Sequence, residues 1–309
     1  MATGKEMVKL VSKTALLMAL LAALVVGCQN LRLSGKQELR ARDGSALRIA
    51  TYNVHYIVLA DQTGPWSVGD WERRKGPLDQ AFKALDADLV AFQEMESFRS
   101  GSDGSVNLAR DWLLDRNPGY GLHVSGDWTE FPSTQPMLYR RDRLEPLDQG
   151  WFFFSETPDQ LYSRTFNGSY PAFASWGQFR DKRDGAVFTV VNAHTDYASR
   201  QNRLLSAELI ARRIAPRVAA GDTVFLTGDL NARLGDRTLE IVENAGLTFA
   251  PVRGATYHFD RGLNLFRAID HIAFTDDVTL VSDPVVLRRR FDGEWPTDHY
   301  PVAVDVRLD

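Results

Sequence analysis

Asp229 and Asn231 in T-G-D-L-N, and Asp298 and His299 in W-P-T-D-H-Y-P-V, each stand at one end of an apolar run. Val224, Phe225 and Leu226 lead into the first pair, and Val302, Ala303 and Val304 follow the second. Carboxylates, an amide and an imidazole fixed at strand ends can be aimed by a rigid sheet into a cleft. That set suits a hard divalent cation on oxygen ligands with a histidine beside a phosphate.

Four more segments repeat the pattern: T-Y-N at 51–53, Q-E at 93–94, N-A-H-T-D at 192–196 and I-D-H at 269–271. Phosphoester hydrolysis needs an in-line water, compensation of charge on the non-bridging oxygens, and help for the leaving oxygen. Mg²⁺ keeps several waters and takes only one or two protein carboxylates, so Glu94 with Asn53 or Asp298 is enough. Asp229 is a base or water orienter, and neutral Asn231 can hold a phosphate without charge repulsion. Each residue alone also has an ordinary explanation: Asp and Asn form turns, and a histidine can be satisfied in a core. His271 would point away from Asp270 across its strand and reads as structural. His55 shares a face with Asn53 and either lines the site or does not; His258 has no assignable place.

Taken in order, the six segments resemble the endonuclease/exonuclease/phosphatase superfamily, the deoxyribonuclease-I-like fold, over residues 47–308. The resemblance implies a four-layered α/β sandwich, two packed and mostly antiparallel sheets flanked by helices, and a phosphoesterase dependent on Mg²⁺ or Mn²⁺. By the same resemblance Asn53, Glu94 and Asp298 fall at the metal. Asp229 and Asn231 match the pair that orients water and touches the phosphate. His299 matches the phosphate-contacting histidine, with Asp270 as its partner, and a neighbouring carboxylate would raise its pKa. His194 matches the histidine of an N-T-H-L-D stretch, written here N-A-H-T-D, with Asp196 also kept. Arg164, Arg180 and Asp196 fall in segments that border substrate. W-E-R-R at 71–74 and Q-E look most like the bacterial deadenylase-like branch. F-R-A-I-D-H lacks the cysteine usual in inositol 5-phosphatases, and residues 151–154 are the only weak candidate for a membrane-docking hairpin.

These side chains need a frame. Residues 47–54, 88–94, 137–140, 173–180, 187–191, 224–226, 269–274 and 302–306 read as strands, with Asp184-Gly185 as a hairpin turn. Asp70 is read as the cap of a helix from Trp71 carrying Leu78, Phe82 and Leu85. Further helices are expected from Leu108 to Leu114 and from Gln201 to Ile214, the last ending near Pro216. Residues 99–107 and 155–171 read as loops. Trp151-Phe-Phe-Phe154 reads as core. Arg288-Arg289-Arg290 reads as a solvated face, the alternative being a substrate lip.

The chain has 309 residues, 44% apolar and 25% charged, with no linker or repeat, so one domain over 47–309 is expected. Lys5, Lys9 and Lys13 precede an apolar run at 14–27, short for a membrane span. Val25-Val26-Gly27-Cys28 resembles a bacterial lipobox. Residues 1–27 then read as a lipoprotein signal peptide and 28–46 as a tether, the expected location being the outer membrane of a Gram-negative bacterium. Cys28 is the only cysteine, so disulfides are excluded. Removing 1–27 takes three Lys and one Glu from 36 basic and 40 acidic residues, leaving 33 against 39, a net charge of −6. Such a body argues against non-specific duplex binding but not against a local basic groove. The expected activity is hydrolysis of phosphodiesters, as a nuclease or phosphodiesterase. The alternatives are a phosphomonoesterase of a small metabolite or lipid head group, and a non-catalytic binding lipoprotein. The expected partners are the phosphoester, with nucleic acid among the options, and a membrane through Cys28; no protein partner is evident.

Overall fold

Alternate residues of β1 (Leu47–Asn53) face opposite sides, and the inward series runs Leu47, Ile49, Thr51, Asn53. The same change from apolar to polar occurs in β3 (Leu89–Gln93), β9 (Val187–His194) and β10 (Thr223–Asp229). Reading toward its start, β12 (Asp270–Phe274) gives Phe274, Ile272, Asp270. One end of the molecule is therefore cemented by burial and the other is left polar. The computed structural model describes residues 4–35, 38–42, 44–99, 106–168 and 170–308.

β1 and β3 run parallel in a seven-stranded sheet completed by β5 (Tyr120–His123), β6 (Met137–Arg140), β13 (Val278–Leu280), β14 (Val285–Val286) and β15 (Val302–Leu308). The order is β13-β15-β1-β3-β6-β5, with β14 also on β15. The second sheet adds β7 (Leu144–Phe153), β8 (Phe173–Asp181) and β11 (Thr248–Phe249) in the order β11-β12-β10-β9-β8-β7, with β9 and β10 parallel. All remaining pairs within the two sheets are antiparallel. A short parallel ladder joins β2 (Ile57–Val58) and β4 (Ser97–Phe98).

Ile49, Ala91, Val190, Phe225, Ile272 and Val304 fill the space between the sheets. Tyr52, Val90 and Phe92 point the other way, under α2 (Val68–Leu85) and α3 (Leu108–Arg116). Val191, Val224 and Leu226 lie under α4 (Arg200–Ala219) and α5 (Arg237–Glu243). The expected four-layered sandwich is thus the observed one. Full burial of each large apolar side chain contributes about 1.5–3 kcal/mol.

Several boundaries differ from expectation. α2 starts three residues before Trp71, because Ser67 is the cap: its hydroxyl accepts from the Asp70 N–H. α4 runs past Pro216 to Ala219. Pro216 forfeits its own N–H bond and crowds the carbonyl four residues earlier, but Val218 packs on the core and Arg217 lies over Trp176, which holds the last turn. β7 follows a sequence without clean alternation and was not foreseen, although Phe152, Phe153 and Phe154 are buried as expected. The loop expected at 99–107 falls mostly on 100–105, outside the described residues.

The N-terminal segment also departs from expectation. α1 (Gly4–Leu33) continues through Cys28, and its apolar part, Lys13–Leu33, has 21 residues, about the length that crosses a bilayer. Described residues between 28 and 46 are docked on the domain rather than forming a free tether. Leu33 is buried, its carbonyl accepts from Ala255 N–H, and Arg42 pairs with Asp88.

Candidate active site

Three neighbouring strands of the second sheet bring one rung of functional side chains to the polar end. Asp229 of β10 stands opposite His194 of β9 on one side and Asp270 of β12 on the other. Asn53, from the end of β1 in the facing sheet, reaches across the gap. Its Nδ2 donates to Asp229 Oδ2 at 3.2 Å and to Glu94 Oε1 at 2.9 Å. His299 enters from the segment before β15, with Nδ1 2.9 Å from Asp270 Oδ2 and Nε2 3.7 Å from Asp229 Oδ2. His194 Nε2 lies 3.7 Å from Asp229 and 3.8 Å from Glu94. Asn231 gives its backbone N–H to Asp229 Oδ1 and its side-chain Nδ2 to the Thr195 carbonyl. Asp298 is buried beside them and accepts from the Thr297 hydroxyl. The expected metal and catalytic residues therefore converge.

A polar floor fixes the distance between the sheets. Gln93 Nε2 donates to Thr51 Oγ1 and to Asn192 Oδ1, and Asn192 Nδ2 donates to the Phe92 carbonyl. Backbone geometry sets the rest. Glu94 turns out of β3 at φ 53° and Asn231 out of β10 at φ 45°, both left-handed. Gly228 has φ 141°, and a Cβ there would lie 1.8 Å from the Ala193 carbonyl oxygen, so only glycine lets β10 approach β9 this closely before Asp229.

The electrostatics follow from burial and neighbours. Burial and the charge of Asp270 push the Asp229 carboxyl up to about 6, against the pull of His299 and His194. Burial would strip the proton from His299. Asp270, by charge and hydrogen bond, reverses this together with Asp229 and Asp298, so the pKa lies well above the ordinary histidine value. Burial would also raise Glu94, but His55, His194, the Asn53 hydrogen bond and His299 hold it below the usual carboxylate range.

Two groupings offer ligand atoms to a cation. Oxygens of Asp229 and Asp270 and a nitrogen of His299 lie within 4.8 Å of one another, all buried. There the His299–Asp270 hydrogen bond already occupies one ring nitrogen, and a protonated imidazole is no ligand. Glu94 is ionised, partly open, and has the amide of Asn53 beside it. This is a fitting donor set for a hard cation that retains waters.

Other expected site residues fall elsewhere. Arg180 is a correction: it pairs with Val187 at the start of β9, whereas the site lies at the His194 end of that strand, and its guanidinium is bound to Glu145. Sequence placed the correct strand but not which end of it faces substrate. Asp196 is also corrected: it is buried, and Oδ1 accepts the N–H groups of Ala198 and Ser199, shaping the entry to α4 rather than facing substrate. Arg164 is exposed on the 155–171 loop, without a contact to the site among the described residues. Arg288 is no substrate lip; it donates to the carbonyls of Ala255 and Gly35. His271 is structural, bonded to the Ala232 carbonyl. His258 is buried against Tyr300 and pushed down to about 3 by burial and His299. His55 does line the site, 3.9 Å from Glu94.

Sequence reasoning missed Arg74. It is 1% exposed and donates to the carbonyls of Val54, His55, Tyr56 and Pro296, joining the loop after Asn53 to the segment before Asp298. The signal was a charged residue on the apolar stripe of α2, with Trp71, Leu78, Phe82 and Leu85. It also missed two tyrosines at the rim. The Tyr170 hydroxyl lies 3.4 Å from His194 Nε2, and the Tyr257 ring packs 5.0 Å from that of His299.

A model described as the Endonuclease/Exonuclease/phosphatase family matches residues 50–299. Among solved structures, an endonuclease/exonuclease/phosphatase family protein from Bacteroides thetaiotaomicron superposes with a TM-score of 0.71 at 23% identity, over 87% of this chain and 100% of that one. A mannosyl-6-phosphatase from the same organism gives 0.68 at 24%, over 84% and 99%. The human Nocturnin catalytic domain gives 0.60 at 16%, over 88% and 97%. These likenesses establish the fold. No curated protein sequence matches the chain.

Proposed function

This chain belongs to the endonuclease/exonuclease/phosphatase family, and from that premise we propose that it uses Mg²⁺ to hydrolyse a compact organic phosphoester. It is a divalent-metal-dependent hydrolase of phosphoester bonds. The observation that carries the finer reading is the ring around Asp229 Oδ2, made by Asn53, His194 and His299, with Asp270 behind His299.

Glu94, with Asn53 beside it and Asp298 nearby, would hold the ion; Mn²⁺ is the second choice. The bound ion supplies charge neutralisation and polarisation of a phosphoryl oxygen. Asp229, ionised at neutral pH yet basic enough to accept a proton, orients and deprotonates the attacking water. His299 donates from Nε2 to a non-bridging oxygen, and Asp270 keeps it charged and oriented through Nδ1. Asn231 supplies a neutral contact that does not repel the phosphate. His194 lies between Glu94 and Asp229, with Nε2 3.8 and 3.7 Å from their carboxylate oxygens.

Among the described residues, the hydrogen bonds and ion pairs of these side chains include no lysine or arginine. The set of imidazole, amide and carboxylates is enough to hold one phosphate group, and the fold shared with a mannosyl-6-phosphatase supports a phosphomonoester. We place the chain nearest the deadenylase-like branch, on W-E-R-R and Q-E. Export as a lipoprotein anchored at Cys28 in the outer membrane is part of the proposal, supported by the apolar helix Lys13–Leu33 and the exposed cysteine.

The test is a panel of p-nitrophenyl phosphate, mannose 6-phosphate, bis-p-nitrophenyl phosphate and plasmid DNA, each with Mg²⁺ and with EDTA. Turnover of a monoester that EDTA abolishes is expected. Mg²⁺-dependent nicking of plasmid with inert monoesters would overturn the substrate assignment.

A further inference from the structure

The end of the apolar helix α1 is locked to the segment 254–265, which carries Tyr257 beside His299. Gln29 Nε2 donates to the Leu265 carbonyl, Asn30 Oδ1 accepts from Asn264 N–H, and Asn264 Nδ2 donates to Ser34 Oγ. The Leu33 carbonyl accepts from Ala255 N–H, and Arg288 grips the Gly35 carbonyl. Gly254 has φ 80°, and a Cβ there would lie 2.6 Å from the Leu33 carbonyl oxygen, so this close approach requires glycine.

The same loop leads back to the catalytic histidine. Ring centroids lie 5.0 Å apart for His299 and Tyr257, 4.5 Å for Tyr257 and Phe259, and 5.8 Å for Phe259 and Phe266. The file ends at the surface: Phe266 is 43% and Leu263 38% exposed. Leu31 and Leu234 are also exposed. Arg233 stacks over Phe266, and Arg261 and Arg267 are exposed on the loop itself.

We propose that the loop 258–267 is a membrane-contact surface, seated on an anionic bilayer beside the anchor, and that it holds the mouth of the active site at the lipid headgroup layer. Exposed apolar and aromatic residues interspersed with arginine match the interfacial layer, where rings sit at headgroup depth and basic groups meet anionic lipids. Continuity with α1 identifies the occupant. Whether the helix stays in the bilayer or the chain is cut before a lipidated Cys28, the anchor enters beside Gln29, which is fixed on Leu265. From Ala255, bonded to Leu33, two residues lead to Tyr257. Two residues span at most about 7 Å, so the anchor cannot move far from the site without breaking these contacts. A substrate carried by, or concentrated at, a membrane surface is then within reach.

This inference rests on the membrane reading of the N-terminal segment. Leu263, Phe266 and, as a control on the distal β8–β9 turn, Asp184 are each replaced by the fluorescent residue dansylalanine in the full chain. The proteins are reconstituted in phosphatidylcholine–phosphatidylglycerol vesicles containing lipids spin-labelled near the headgroup. Circular dichroism and a thermal melt matching those of the unmodified chain show that each variant folds. Quenching at 263 and 266 at least threefold stronger than at 184 is expected. Flotation with the vesicles but equal quenching at all three positions overturns the contact surface alone. Failure of the unmodified chain to float overturns the anchor and the contact surface together.

Discussion

Replacing Asp270 by Asn tests whether His299 acts as a cation. The two groups are joined at 2.9 Å with side chains 1% and 7% exposed, so the bond is charge-assisted and poorly screened. Such a bond contributes about 1.5–3 kcal/mol, which corresponds to roughly a tenfold to hundredfold loss of kcat if the pair is intact in the transition state. His299→Ala removes the phosphate contact itself, worth roughly 2.7–4 kcal/mol, or about 10²–10³ in rate. The double variant should lose little more than His299→Ala alone, because the residues act as a unit. The pH dependence has a definite sign. Burial lowers the His299 pKa and Asp270 overcomes it, leaving the folded value well above the ordinary one. The folded protein then keeps a proton that the unfolded chain releases above about pH 6.5. The pair's stabilisation is complete below that pH and fades as pH rises through the folded pKa. Activity should fall over the same alkaline range. Asp270→Asn should move the alkaline limb of kcat to lower pH and flatten the decline of Tm over that range. Rate profiles from pH 5 to 10, with Tm at each point, make the comparison. Additive losses, or an alkaline limb that stays in place, would refute the pairing as the source of the imidazolium.

Arg74→Lys should reduce kcat more than it raises KM, because lysine cannot reach four carbonyls on two loops; unchanged kinetics would remove its positioning role. Gly228→Ala forces a Cβ into the Ala193 carbonyl and should destabilise the fold by more than about 3 kcal/mol, read by urea unfolding; a loss below about 1 kcal/mol would contradict the close approach of β9 and β10. Arg180→Ala should leave kcat and KM within twofold of wild type, since the side chain lies at the far end of β8 and β9. A large loss of activity there would mean that substrate extends along the sheets.

Strand ends were the legible part of this sequence. Asn53, Glu94, His194, Asp229, Asp270 and His299 each follow or precede an apolar run, and an apolar run fixes both a strand and its buried face. Residues that act through tertiary contacts left weaker traces. Arg74 showed only as a charge on an apolar helix face, and its meaning depends on carbonyls far along the chain. Tyr170 and Tyr257 lie in loops without periodicity, so nothing local aims them at the site. Arg180 was misplaced because the resemblance located its segment beside the site, while the residue itself lies at the far end of that strand, opposite Val187. The docking of Gln29, Asn30 and Leu33 was hidden because a polar stretch after an apolar helix reads as a tether until its partners at 254–265 are known.

The most direct test of the account is a Mg²⁺ titration by calorimetry of wild type and Glu94→Gln, each also assayed for phosphoester turnover. Wild type should bind Mg²⁺ and require it. The variant should fold, bind Mg²⁺ at least tenfold more weakly and lose activity by about 10² or more, since removing an ionised carboxylate from a hard-cation site removes its main charge. A folded Glu94→Gln protein with unchanged Mg²⁺ affinity and turnover would contradict the assignment of the metal to this end of the site.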